Sequence, residues 1–343
     1  MNRIVFALIF VWPLLAGAQT HEDYEEQDRR YLERLQQAEA REERDPESER
    51  KAFVEMADEL IHDQNYRSKV GEHFRVQTDD PRLDVKATSA LVETFYNFFD
   101  GFWTGRVELQ DRDDLSRVFL FYSFHRYNKL LGGDWSLSRV RPRGHYTPVF
   151  DVVTLHTDAA TEDTLADTLI HEATHQLVQQ RIYGGGDIGP SIWLTEGLAE
   201  YFGYLYMDRH HQFHAGEIGG KKVALFRDDA RGSKESKDIL SAFRKALRKL
   251  EKKGPTHLTN VVYMNDPRDF YGEDSAINYF ASWLLVHFML HADDGRHAPA
   301  FHRYLALEKS GEERKDALFR ELGIERDELD AALLTYLKGL KAH

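Results

Sequence analysis

Residues 168–178 read TLIHEATHQLV, two histidines and a glutamate in a run with no other charge. On a helix, His171 and His175 fall four positions apart and share one face, one turn from each other. Two imidazole nitrogens placed that way can reach a single ion. Glu172, beside the first histidine, can reach a water bound to that ion and take its proton. The chemistry such a His-Glu-x-x-His pattern offers is metal-assisted hydrolysis. The neighbours Ile170, Ala173, Thr174, Gln176, Leu177 and Val178 are uncharged. The helix can therefore be buried around its ligands, where neutral imidazoles and a low dielectric favour metal binding.

A further ligand is expected on the next helix. WLTEGLAEYFGYL, residues 193–205, offers Glu196, with twenty residues between it and His175. A helix, the glycine-rich turn YGGGDIGP (183–190) and a returning helix would bring it across to the histidines. Two His, one Glu and an open position for water make a catalytic rather than a structural zinc site. One Zn2+ per chain is expected. Glu200 lies one turn beyond Glu196 on the same face, so geometry alone allows either to be the ligand. A ligating histidine also needs a carboxylate for its outer N–H. One glutamate on the metal and one behind His171 would meet both needs. The Trp193-Leu194 anchor and the nearby glycine turn favour Glu196 for the metal and Glu200 for His171. The plainer alternative is two histidines satisfied by hydrogen bonds on an amphipathic helix.

TLIHEATHQL followed by WLTEGLAEYF resembles the gluzincin branch of the zincin metallopeptidases. The Trp-Leu-x-Glu-Gly stretch is similar to the ligand helix of aminopeptidase N-like enzymes, and the Glu-x-x-x-acid spacing is similar to thermolysin. The wider layout, roughly residues 70–340, resembles secreted bacterial peptidase-MA-like proteins, with a GHYTP-like strand before the zinc helix and a Tyr-bearing helix after it. The resemblance implies His171, His175 and Glu196 as ligands, Glu172 as general base and Glu200 behind the ligands. The twenty-residue spacing is longer than in aminopeptidases, and no Gly-x-Met-x-Asn motif is present. The resemblance thus bears on the zinc site and not on aminopeptidase specificity.

Such enzymes often stabilise the oxyanion with a Tyr or His from a later helix. Tyr279 in the apolar INYFASWLLVHFML is the first choice and Tyr271 the second. His145 and Tyr146 fall on an expected edge strand, which in zincins pairs with extended substrate; an ordinary strand with two polar side chains is the alternative. Gly184 to Gly186 could flex at a cleft rim or form a plain turn. The expected activity is hydrolysis of a peptide or protein substrate. The alternatives are a zincin-fold scaffold without turnover and a zinc hydrolase of a non-peptide bond. Retention of Glu172 with both histidines speaks against a scaffold.

The 343 residues carry no cysteine, which excludes disulfides, thiol catalysis and thiolate metal sites. The net charge of −13 excludes a general affinity for nucleic acid or anionic lipid. Lys245, Arg248, Lys249, Lys252 and Lys253 sit beside Phe243, Leu247 and Leu250 and are expected to form a solvated helix face. MNRIVFALIFVWPLLAGAQT opens with Arg3, an apolar run from Ile4 to Leu15 and Ala16-Gly17-Ala18. That is the pattern of a secretory signal peptide (1–18) cut after Ala18. Export to the periplasm or the extracellular space is expected, with no membrane span in the mature chain.

The elements that would position the site read as follows. Tyr24, Tyr31, Leu35 and Ala38, then Phe53, Met56, Leu60 and Ile61, recur at helical spacing on either side of Asp45-Pro46. HFRVQTDD (73–80) alternates as a strand. Residues 84–101 form a helix with an aromatic face of Phe95, Phe98 and Phe99. SRVFLFYSF (116–124) is a strand, and RGHYTPVFDVVTLHT (143–157) holds another, interrupted near Pro148. Helices are expected at about 162–181, 191–208, 235–251, 274–291, 297–308, 313–322 and 326–340. The fold class is α+β: a zincin-like small mixed sheet with an active-site helix, then a mainly helical C-terminal subdomain. The expected divisions are a charged helical segment at 19–68, the sheet and metal-binding helices at 69–209, and the helical subdomain at 210–343.

Overall fold

The strand β3 (Ser116–Phe121) alternates its side chains between two cores. Val118 and Leu120 enter the larger core; Phe119 and Phe121 enter a smaller one on the opposite face. A strand covered on both faces reads as a near-continuous apolar run, as VFLF does. In this computed structural model the described residues are 46–112, 114–131, 143–158, 162–185, 189–219, 257–272, 274–311 and 314–342, with 225–226, 240–241, 244–245 and 247–248. The expected signal segment, the first amphipathic helix, Gly186, Phe243, Lys249, Leu250, Lys252 and Lys253 lie outside them. Lys245 and Arg248 are exposed while Leu247 is buried.

The fold is mixed α+β. Strands β1 (Arg67–Val70), β2 (Phe74–Thr78), β3, β4 (Gly144–Thr147) and β5 (Val152–His156) form one sheet in the order β1-β2-β3-β5-β4. β2, β3 and β5 run parallel, and the outer strands β1 and β4 are antiparallel to their neighbours. The expected single strand over 143–157 is therefore a hairpin. Pro148 lies in its turn, where Phe150 N–H bonds the carbonyl of Thr147 and Asp151 takes φ 51°. β4 is an edge of the sheet, as expected of the strand that carries His145 and Tyr146.

One sheet face carries α1 (Pro46–Ile61) and α3 (Phe124–Leu130). In α1 the buried stripe is Phe53, Ala57 and Ile61, while Met56 is 38% exposed. The other face carries α2 (Val85–Trp103), whose N-cap Asp84 accepts from the N–H groups of Lys86 and Ala87. Phe95 and Phe99 of α2 are buried, and Phe98 packs near Phe202 and Phe213. Beside α2 lies α4 (Glu162–Leu177), which runs into a π turn, Val178–Ile182, before the chain returns as α5 (Ile192–Gly203).

The helix expected over 191–208 stops at Gly203. Leu205–Met207 forms β6 instead and pairs with β7 (Phe213–Ile218). Asp208 closes that hairpin by accepting the N–H groups of His210 and Gln212. A short helix α6 (Pro267–Phe270) precedes α7 (Ser275–His291), which is buried almost throughout. α8 (Ala298–Lys309), α9 (Arg314–Leu322) and α10 (Arg326–Gly339) follow. The larger core runs without a break from Phe74 to Leu337. Among the described residues no helix is long and apolar enough to cross a membrane.

Candidate metal centre

α4 presents His171 and His175 to α5, which returns Glu196 to them. The three are buried, and their donor atoms converge. His171 Nε2 and His175 Nε2 stand 3.1 Å apart. Glu196 Oε2 lies 3.6 Å from the first and 3.7 Å from the second. Ligands about 2.0–2.1 Å from one tetrahedral ion stand roughly 3.4 Å from each other, so this triangle has the size an ion requires. Glu196 Oε2 is buried and has no hydrogen-bond partner. A buried carboxylate oxygen without a donor is costly, and a cation at the centre of the triangle would relieve it.

Electrostatics point the same way. Burial pushes the proton affinity of Glu196 far above the ordinary carboxylate range; the Tyr271 hydroxyl opposes this, while Glu200 and Glu172 add to it. Burial likewise raises Glu172 to about 8, with the Tyr146 N–H opposing. Glu200 is raised to about 8, again chiefly by burial. Burial, with the neighbouring His171 and His145, holds His175 well below its usual value and so neutral. A neutral His175 among three buried carboxylates forms an environment that favours a cation.

Each ligand is braced from behind. His171 Nδ1 stands 3.3 Å from Glu200 Oε1, which sets the outer nitrogen against a carboxylate. His175 Nδ1 lies 2.9 Å from Thr195 Oγ1. With Nε2 given to an ion, Nδ1–H would be the donor in that bond. Glu196 Oε1 accepts the Tyr271 hydroxyl at 3.0 Å. The sequence reading did not single out Thr195; its signal was its place beside Glu196 at the start of the returning helix.

Glu172 points to the sheet edge, where its Oε2 accepts the main-chain N–H of Tyr146 on β4 at 2.8 Å. The approach needs Gly144. A Cβ there would lie 2.9 Å from Glu172 Cγ and 3.1 Å from both Leu155 Cγ and Thr168 Cγ2. Asp151 ties the hairpin to α4: its carboxylate accepts from Gln176 Nε2 at 3.0 Å and from the Tyr146 hydroxyl at 3.2 Å, and pairs with Arg112.

The other expected residues fall as follows. Tyr271, just after α6, touches a ligand directly. Tyr279 on α7 is buried with its ring 6.1 Å from that of Tyr271. Burial, then the charge of Glu196, pushes the Tyr279 hydroxyl far up. His145 on β4 is buried, its Nδ1 has no hydrogen-bond partner, and burial lowers it to about 4. Gly184 and Gly185 take φ 73° and 68°, values that suit glycine.

A second grouping, His257, Asp327 and Asp330, differs in character. Asp330 already accepts from Thr259 N at 2.9 Å and Thr259 Oγ1 at 3.0 Å, which fastens α10 to the 3-10 turn Leu258–Tyr263. No protein-family model matches the chain, and no curated protein matches it.

Proposed function

We propose that the chain is a zinc-dependent peptidase of the gluzincin type on a zincin-like fold, exported by its N-terminal segment. The observation that carries this reading is the buried triangle of His171, His175 and Glu196 with Glu172 one residue from the first ligand. Two imidazoles and one carboxylate suit zinc. Bound zinc would acidify a coordinated water and polarise a carbonyl.

The chain's own groups supply the rest. Glu172 takes the proton of the attacking water at its carboxylate and passes it to the leaving amine. Its bond to Tyr146 N–H fixes the carboxylate against the strand. Thr195, Glu200 and Tyr271 orient the ligands through their outer atoms. A tyrosine hydroxyl then donates to the oxyanion. Tyr279 is the candidate for that role, because Tyr271 already donates its one O–H proton to Glu196 Oε1 and Tyr279 is buried beside it. The position of β4 as an outer strand beside Glu172 favours a peptide over a non-peptide substrate, since an extended chain can add to an outer strand.

Elemental analysis of protein reconstituted with zinc, followed by digestion of a broad peptide library, tests the reading. Close to one zinc per chain and cleavage that stops on chelation are expected. Less than about a tenth of an equivalent would overturn the metal centre, since such sites bind strongly near neutral pH. Full zinc occupancy with no cleavage of any peptide would overturn the peptidase.

A further inference from the structure

Glu308 lies on α8, more than a hundred residues from the nearest of the ligands in sequence, and is 1% exposed. Its two oxygens reach the two ends of one turn. Oε2 accepts the Tyr183 hydroxyl at 3.0 Å, where the π turn after α4 ends. Oε1 accepts the main-chain N–H of Ser191 at 3.0 Å, at the N-cap of α5. Tyr183 and Ser191 are themselves buried. The carboxylate thus clamps the end of the histidine helix to the start of the glutamate helix.

Two of the residues just after Tyr183 are glycines. Gly184 and Gly185 sit at positive φ, and glycine visits such conformations at little cost. A tie from outside adds to the direct packing of α4 on α5. α8 supplies that support twice, since Tyr304 also packs its ring 5.9 Å from that of Trp193 near the start of α5. Glu196 lies little more than one helical turn past Ser191, so a displaced N-cap carries the ligand with it. Metal–ligand distances tolerate only about 0.2 Å.

We propose that Glu308 is a positioning residue for the metal centre: by holding Tyr183 and Ser191 it keeps Glu196 Oε2 at metal-binding separation from the two histidines. This rests on the metal centre proposed above.

The test uses the full chain and its Glu308→Ala, Glu308→Gln and Tyr183→Phe variants. Zinc affinity is measured against a competing chelator, the visible spectrum is recorded with Co2+ in the site, and metal-free stability is followed by denaturant. Glu308→Ala is expected to weaken zinc binding roughly 10-fold or more, as loss of a supporting partner does, and to alter the Co2+ spectrum. Tyr183→Phe removes one of the two anchors and should fall between, whereas Glu308→Gln can keep both, its amide oxygen accepting from Ser191 N–H and its amide N–H donating to the Tyr183 oxygen, and should stay near wild type. A folded Glu308→Ala with wild-type affinity and spectrum would overturn the proposal, even if it unfolded earlier, because the tie would then be structural only. Should Glu308→Ala fail to fold, Tyr183→Phe decides: if it binds zinc and Co2+ as wild type does, the proposal falls. If the wild-type chain binds neither metal, the metal centre itself fails and this inference with it.

Discussion

The carboxylate of Glu172 and the main-chain N–H of Tyr146 meet at 2.8 Å, joining the histidine helix to the edge of the sheet. The bond uses one carboxylate oxygen and leaves the other for chemistry. It also sets Glu172 beside β4, one of the two outer strands of the sheet. Gly144, two residues earlier, is what lets the helix come so near.

Glu172→Gln should keep the fold and the metal and abolish turnover. The amide oxygen can still accept from Tyr146, so the helix stays docked. The amide cannot take a proton, and general acid–base catalysis typically contributes about 10²–10⁴-fold. Zinc content and initial rates on any cleaved peptide check this. Activity within about a factor of two of wild type would remove Glu172 from the role of base.

The ligand-bearing stretch was the most legible part of the sequence because a four-residue spacing on a helix leaves one geometric reading. The long apolar helix at 275–291 and the α2 aromatic face were legible for the same reason, a strong period. The misses have physical causes. β1, RSKV, is mostly exposed and has no apolar alternation to betray it; it forms by pairing with β2. The 205–207 stretch follows a helix directly, and only pairing with β7 makes it a strand. The contact of Tyr271 with Glu196 was not legible either, because it joins positions 75 residues apart that no periodicity links.

Gly197→Ala should destabilise the protein although it improves helix propensity. Alanine in place of glycine within a helix gains about 1 kcal/mol. The new Cβ would lie 2.6 Å from the main-chain oxygen of Ser282 and 2.9 Å from Val286 Cγ2 on α7. Backbone on a buried helix cannot step aside, and overpacking costs about 1–3 kcal/mol or more. The clash should therefore win, and the denaturant midpoint should fall. A midpoint above wild type would mean that α5 and α7 are less closely packed than described.

His287 should make stability pH-dependent. Its Nδ1 lies 2.8 Å from the Tyr336 hydroxyl and its Nε2 3.2 Å from the Gly216 carbonyl. Burial, helped by the neighbouring His291, lowers it from the usual 6.5 to about 3. The unfolded chain therefore takes up a proton below about pH 6.5 that the folded chain refuses. This contribution is complete above that pH and is lost steadily as pH falls toward about 3. Between pH 7 and pH 5 the loss is about 2 kcal/mol. Metal-free His287→Gln should show a fall in unfolding free energy smaller by about that amount over the same interval. Identical slopes for the two proteins would contradict the buried, neutral ring.

Glu196 and Glu200 share a helix face but should differ sharply on removal. Glu196 Oε2 completes the triangle with both Nε2 atoms and has no other partner. Glu200 stands behind His171, on the side of Nδ1. Losing the first removes a bond to the ion itself, whereas losing the second leaves three ligands and a less well-held ring. Partners of that second kind typically contribute about 10–100-fold in affinity. Glu196→Ala should thus nearly empty the site, and Glu200→Ala should weaken zinc yet leave binding measurable. Titration against a competing chelator ranks the two. If Glu200→Ala lost zinc the more completely, the ligand would be Glu200, and α5 would have to enter the cleft one turn further along than its contacts with α4 and α7 place it.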